Sequence, residues 1–156
     1  MAKDQAGLPP GTEFERWVRL QRRFNAPSER VYRTWADPEE LARWFPEQVE
    51  GGLAVGSRSV LVWPDRRVWW DVIEAQPNSR FAFRWPWLEN DSLVTEVHVS
   101  IAPAGYGSRL DLVDGPFPLT VPGGIDAWAE AIEGWSEALA MLRAHLDFSV
   151  DLRPRG

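Results

Sequence analysis

The order of hydrophobic and polar positions changes along the chain and predicts an α+β domain. Residues alternate from Phe14 to Phe24, which predicts a strand with Val18 and Leu20 on its apolar face. Arg22 falls on the same face, where an isolated charge is costly unless it finds a partner, water or a ligand. The strand is therefore expected to carry one polar group toward the core.

A helical pattern follows, but it is interrupted in the middle. Ser28 is predicted to cap a first helix that runs to Trp35. Asp37 is predicted to cap a second one, with Pro38 at its first position and Glu40 where a capping box has its acidic residue. Two short helices at an angle are therefore expected, instead of one long helix.

Strand patterns separated by turns occupy residues 51–114, and the first clear hairpin turns at residues 76–79. With Ala75 opposite Arg80, the predicted cross-strand pairs on one face are Trp70 with Trp85, Val72 with Phe83, and Glu74 with Phe81. The opposite face then places Asp71 beside Arg84. This register brings aromatic side chains together and puts Glu74 on the apolar face.

The second hairpin is predicted to turn at residues 102–107. Its apolar face pairs Val97 with Leu112 and Val99 with Leu110, and its other face pairs His98 with Asp111. A preceding strand, residues 57–63, turns through Pro64-Asp65 with a register that the pattern leaves ambiguous by one residue.

The last pattern is the longest helical one. Apolar residues recur at spacings of three and four and predict one amphipathic helix whose apolar face holds Ile125, Trp128, Ile132, Trp135, Leu139, Leu142 and Leu146. A single domain over residues 13–148 is expected, with a disordered leader at 1–12 and a tail at 149–156 that ends frayed.

Composition narrows the possible functions. The net charge of −6 argues against general nucleic-acid binding, and the absence of cysteine excludes disulfides and thiolate chemistry. With His98 and His145 as the only histidines and no metal-binding spacing, no metal or cofactor is expected. No secretory leader or membrane span is visible, which predicts a cytoplasmic protein. Ten tryptophans indicate an aromatic core or an aromatic-lined cavity.

Four stretches of the sequence, in order, carry a family resemblance. They are "RRFNAPSERVYRTWADPEELARWF", "VIEAQPNSRFAFRW", "TEVHVSIAPAGYGSRLDL" and "EGWSEALAMLRAHL". The chain from Phe14 to Asp147 resembles the activator of heat-shock-protein-90 ATPase homologue family, within the START-like (SRPBCC) superfamily. The resemblance implies a helix-grip fold, a curved sheet around a long C-terminal helix. It also implies an internal cavity, which the superfamily uses for lipids, hormones and polyketides. Trp70 stands where the family usually has glycine, so a smaller or more aromatic cavity is expected.

The leading interpretation is therefore a binding domain for a small hydrophobic or aromatic ligand, without chemistry of its own. The predicted ligand-binding residues are Trp35, Trp44, Leu61, Trp63, Trp70, Val72, Phe83, Trp85, Val97, Val99, Leu110, Trp128, Trp135 and Leu139. Arg22 and Glu74 are the candidate polar anchors for such a ligand.

Two other interpretations stay open. A polyketide cyclase or aromatase would need acid and base groups in the same cavity, for which Glu74, Arg22, and Thr95 with Asp114 are available. A co-chaperone or stress-response module would instead use an outer surface to bind a protein partner such as a chaperone. The pattern fits a monomer or a homodimer.

Overall fold

The computed structural model describes residues 14–87 and 91–154, and the leader predicted at residues 1–12 lies outside them. Seven strands form one antiparallel sheet in the order β1-β7-β6-β5-β4-β3-β2. The strands are β1 (Glu15–Phe24), β2 (Gln48–Glu50), β3 (Arg58–Trp63), β4 (Arg66–Gln76), β5 (Arg80–Pro86), β6 (Val94–Ala104) and β7 (Gly107–Pro118). The helices are α1 (Ser28–Ala36), α2 (Pro38–Leu41) and α3 (Gly124–Phe148).

The long helix α3 packs against β1 and β7, and α1 packs against β5, β6 and β7. The core lies between these helices and one face of the sheet. The predicted α+β helix-grip fold is confirmed. Of the helices in the described part of the chain, none combines the length and apolar composition that a membrane crossing requires.

The interruption between the two short helices is a capped restart, as predicted. The Asp37 carboxylate accepts a hydrogen bond from the backbone N–H of Glu39 at 3.0 Å, and Pro38 opens α2. The predicted cap of the first helix is wrong. Pro27 is its N-cap and makes no side-chain cap bond, while the Ser28 hydroxyl oxygen lies 3.4 Å from that of Ser108 on β7.

Glu40 does not act as a capping-box residue but links all three helices. Its carboxylate is 2.5 Å from the Arg30 guanidinium of α1, 3.7 Å from Arg43, and 3.5 Å from the ring of His145 on α3. Burial raises the pKa of Glu40, but the hydrogen bond and charge of Arg30, with smaller effects of the His145 ring and of Arg43, outweigh it and hold the pKa below its usual value. The cluster ties the end of α3 to the two short helices.

The first hairpin matches the prediction only up to a bulge. Val72 pairs with Phe83 and Asp71 with Arg84, as predicted. The register shifts between Val72 and Glu74, so that Glu74 faces Ala82 instead of Phe81. Because side chains alternate between the two faces of a strand, one extra residue moves Glu74 to the face that carries Arg84. The predictions that Glu74 lies on the apolar face and that Ala75 faces Arg80 are therefore wrong.

The second hairpin is displaced by two residues from the predicted register. Val97 pairs with Asp114, Val99 with Leu112 and Ile101 with Leu110. A shift of two keeps every side chain on its predicted face but changes its neighbour. His98 accordingly faces Val113 and contacts Glu96 at 3.1 Å, so the predicted His98–Asp111 pair is wrong.

The buried face of α3 differs from the prediction in its first half. Ala127 and Ala131 are buried, whereas Ile125 and Ile132 are 57% and 37% exposed. A Cβ at Gly124 would overlap the carbonyl oxygen of Pro118, so the helix starts very close to β7. This close approach favours small side chains on the inner face. From Trp135 to Leu142 the predicted face is buried.

The tail after α3 is attached, which the prediction of a frayed end missed. The Arg153 guanidinium donates hydrogen bonds to the carbonyl oxygens of Ala42 and Pro46, each at 2.7 Å, and pairs with Asp151 at 2.8 Å. The tail therefore lies against the segment that joins α2 to β2.

Candidate functional site

The predicted ligand-binding residues come together in the core. All of them are buried except Trp63 and Trp128, which are partly buried and pack against the same cluster. Trp70 stacks on Phe83 with 3.6 Å between ring centroids, so it fills the space that a glycine would leave open. The aromatic side chains mainly contact one another.

Phe45 connects this interior to the surface, although the sequence pattern does not single it out. It follows α2, and its ring contacts those of Trp44, Trp63, Trp70, Trp85 and Trp135. The Phe45 and Trp135 rings are nearly parallel, with centroids 5.5 Å apart. The Trp63 indole N–H donates to the Phe45 carbonyl oxygen at 3.1 Å, which fixes the two aromatic groups relative to each other.

Phe45 and Trp63 line an open groove of about 740 Å³. Its walls are the segment after α2, the β3–β4 turn, one side of α3 and the tail. The uncharged lining residues are Phe45, Trp63, Pro64, Gly134, Ala138, Met141 and Pro154. The charged ones are Glu47, Asp65, Arg66, Glu137, Asp151 and Arg153. Trp63 is the predicted ligand-binding residue that lines this groove.

Behind the Phe45–Trp135 stack lies a buried carboxyl group. Asp114 on β7 is fully buried; it accepts hydrogen bonds from the Thr95 hydroxyl at 2.5 Å and the Trp135 indole N–H at 2.9 Å. The Trp87 indole N–H in turn donates to Thr95 at 2.9 Å. Thr95 and Asp114 are available as an inward pair in the sequence, but the pattern does not reveal the indole donors.

Burial raises the pKa of Asp114 to about 7, because the charged form loses its hydration. Hydrogen bonds from Thr95 and Trp135, with smaller effects of Trp85 and Trp87, oppose this rise. The groups that act on the carboxyl are donors and not cations. Asp114 can therefore change its charge near neutral pH, although solvent does not reach it in this structure.

The two predicted polar anchors lie outside the groove lining. Arg22 pairs with Leu110 across β1 and β7, so its predicted face is confirmed; its guanidinium donates to the Gln21 carbonyl oxygen at 2.9 Å. The Glu74 carboxylate forms an ion pair with Arg80 at 3.3 Å on the opposite face of the sheet. In residues 14–87 and 91–154, no three acidic or histidine side chains converge as metal ligands.

The chain matches one family model. The family model described as activator of Hsp90 ATPase homolog 1-like protein matches residues 25–147. A search of curated protein sequences found no match.

Similar solved structures share the fold at low sequence identity. Protein MLL2253 from Mesorhizobium loti superposes with a TM-score of 0.76 at 23% identity, over 88% of this chain and 100% of that one. DynU16, a protein of the dynemicin biosynthetic locus, gives 0.76 at 22% identity; the match covers 88% of this chain but only 49% of DynU16. The Aha1 dimer from Colwellia psychrerythraea gives 0.75 at 16% identity, over 85% of this chain and 97% of that one.

Proposed function

The chain belongs to the activator of Hsp90 ATPase homolog 1-like family, and we propose that it binds a small apolar or aromatic molecule in the groove beside Phe45. The observation that carries the proposal is the position of this ring, which lines the groove and also packs on the tryptophans of the core. A ligand there would meet a rigid aromatic surface, because Trp135 and Trp63 hold Phe45 from two directions.

The size and chemistry of the groove support a drug-sized ligand. Its volume of about 740 Å³ lies within the range of roughly 300–1,000 Å³ that is usual for such sites. Apolar contact with Phe45, Trp63 and Met141 would supply affinity at about 25 cal/mol for each Å² removed from water. In this proposal the buried residues predicted from the sequence support the surface that the ligand touches.

Gly134 offers a clean way to block the groove. It lies on the exposed side of α3, lines the groove, and an added Cβ would meet no atom within 4 Å. Gly134→Leu therefore places a side chain in the groove without a backbone clash. Because glycine is unfavourable inside a helix, the variant should be at least as stable as the original protein. Ala129→Leu, at an exposed α3 position outside the groove lining, is the matched control.

The experiment is native mass spectrometry of the purified protein, followed by calorimetric titration with fatty acids, isoprenoid alcohols and aromatic polyketides. We expect at least one class to bind, with affinity reduced ten-fold or more in Gly134→Leu and unchanged in Ala129→Leu. Binding that Gly134→Leu leaves intact would place the ligand elsewhere. No binding in any class would contradict the proposal.

A second candidate function, cyclisation of a polyketide chain, is favoured by one observation. Asp114 has a pKa of about 7, which suits a general acid or base at neutral pH. Both carboxyl oxygens are engaged by Thr95 and Trp135, so a substrate would first have to displace one of them. Incubation with a linear poly-β-ketone and mass spectrometry tests it: loss of water that disappears in Asp114→Asn supports an enzyme, and an unchanged substrate contradicts it.

A further inference from the structure

The groove is lined by more negatively charged side chains than positively charged ones. Four carboxylates and two guanidinium groups line it, which leaves a net charge of −2. The acidic residues come from different elements: Glu47 follows α2, Asp65 lies in the β3–β4 turn, and Glu137 is on α3. They therefore reach the groove from three different elements and do not simply follow one another along an exposed helix.

Both arginines of the groove are already occupied. Arg153 is held by Asp151 and by two backbone carbonyl oxygens, so Asp151 and Arg153 neutralise each other. The Arg66 guanidinium lies over the Trp63 ring, 4.6 Å from its centroid. Within the described part of the chain, Glu47, Asp65 and Glu137 enter none of the ion pairs.

The aromatic lining also favours positive charge. The face of an aromatic ring attracts cations, most strongly for tryptophan, and the protein's own Arg66 shows this interaction on Trp63. The Phe45 ring lines the groove as well, but it stacks on both Trp44 and Trp135, with centroids 5.1 and 5.5 Å away, so it adds a fixed apolar surface and the cation contact belongs to Trp63. Carboxylates around fixed aromatic rings favour an ammonium group attached to an apolar body.

We propose that the groove selects ligands that combine an aromatic or apolar body with a positively charged amine. This inference rests on the proposed function, since it names the chemical class of the molecule bound beside Phe45. The apolar body lies against Phe45 and Met141, and the ammonium group lies toward Glu47, Asp65 and Glu137. An anionic ligand of the same shape is repelled by the same three carboxylates.

The test uses three probes of one shape and different charge: 2-naphthylmethylamine, 2-naphthylmethanol and 2-naphthoate. In calorimetric titrations at low salt we expect the amine to bind about ten-fold or more tightly than the alcohol, and the carboxylate to bind most weakly. The preference for the amine should shrink in 1 M salt, where the Debye length falls to about 3 Å. The affinity of the alcohol should change little.

Charge variants give shifts of opposite sign, which a mere loss of folded protein cannot produce. Glu137→Gln and Glu47→Gln should each weaken amine binding by roughly two- to five-fold, as expected for exposed charges. Arg66→Gln should strengthen it by a similar factor, because it removes a repelling cation and uncovers Trp63. Glu133→Gln, on the exposed side of α3 but outside the groove lining, is the matched control and should leave amine affinity unchanged.

The outcomes separate this inference from the proposed function. If the alcohol binds as tightly as the amine and Gly134→Leu blocks both, the groove binds ligands but does not select charge, and the inference is overturned. If the amine binds equally well to Gly134→Leu, its site lies elsewhere and the inference also fails. If none of the three naphthyl probes binds, the test contradicts the inference, while the fatty-acid, isoprenoid and polyketide titrations decide the proposed function.

Discussion

Asp114 allows a quantitative test of how the interior is built. Replacing it by asparagine keeps the size of the side chain and removes its ability to ionise. The pKa of Asp114 is raised from 3.8 to about 7 in the folded protein, so between these values the folded state binds a proton that the unfolded state releases. The free energy of unfolding should therefore fall as the pH rises from about 4 to about 7 and then level off.

The size of this effect follows from the pKa difference of about three units. One unit corresponds to 1.36 kcal/mol, so roughly 4 kcal/mol of stability is lost over the interval, as an order of magnitude. Asparagine still offers one oxygen to the Trp135 indole, but its amide nitrogen cannot accept from Thr95, which costs about 1 kcal/mol. Asp114→Asn should thus be slightly less stable than the original protein near pH 4.5 and more stable near pH 8.

Urea denaturation followed by far-ultraviolet circular dichroism, from pH 4.5 to 8.5, measures both proteins. The difference between the two curves removes the contributions of other groups that titrate in this range. Asp111→Asn is the matched control, because it makes the same substitution on β7 at a partly exposed side chain paired with Arg109. It should keep the pH dependence of the original protein. If Asp114→Asn also keeps that dependence, the buried carboxyl does not titrate near neutrality and the reasoning is refuted.

Three further predictions concern the stability of the fold and the attachment of the tail. Asp37→Ala should lower the free energy of unfolding by about 1 kcal/mol in chemical denaturation, because it removes the cap of α2; an unchanged midpoint would contradict this. Gly134→Ala should raise the free energy of unfolding, measured by thermal denaturation, by roughly 0.5–1 kcal/mol. Gly107→Ala should lower it, because its Cβ would overlap the Phe24 carbonyl oxygen. Similar effects of both variants would show that the space around the glycine does not determine the change in stability. Arg153→Met should speed amide hydrogen exchange in residues 149–153 by about ten-fold, since hydrogen bonds to charged groups contribute roughly 1.5–3 kcal/mol; unaltered exchange would mean that other contacts hold the tail.

The parts of the fold that depend on neighbours in sequence could be predicted. The restart at Asp37-Pro38 needs only a cap and a proline within a few residues, and the structure confirms it. The faces of β6 and β7 could also be predicted, because a period of two survives a register shift of two residues. The family resemblance then supplied the arrangement of the sheet around α3.

The parts that depend on distant contacts could not be predicted. The bulge after Val72 is not visible in the apolar pattern of the sequence, yet it moves Glu74 to the other face of the sheet. Phe45 is one aromatic residue among many in the sequence; its position becomes evident only when β3, β4, β5 and α3 converge on it. The inner face of α3 was misassigned because close packing at Gly124 favours alanine over isoleucine.

The attachment of the tail has a practical consequence for any study of the groove. Asp151, Arg153 and Pro154 form part of its wall, so a fusion joined directly to Pro154 begins at the edge of the groove. An affinity tag or a fluorescent protein fused there competes for the space that a ligand needs. A fusion joined directly to Phe14 begins next to β1, which lies at the opposite edge of the sheet from β2. Ligand screens with tagged protein should therefore carry the tag at the amino-terminal side.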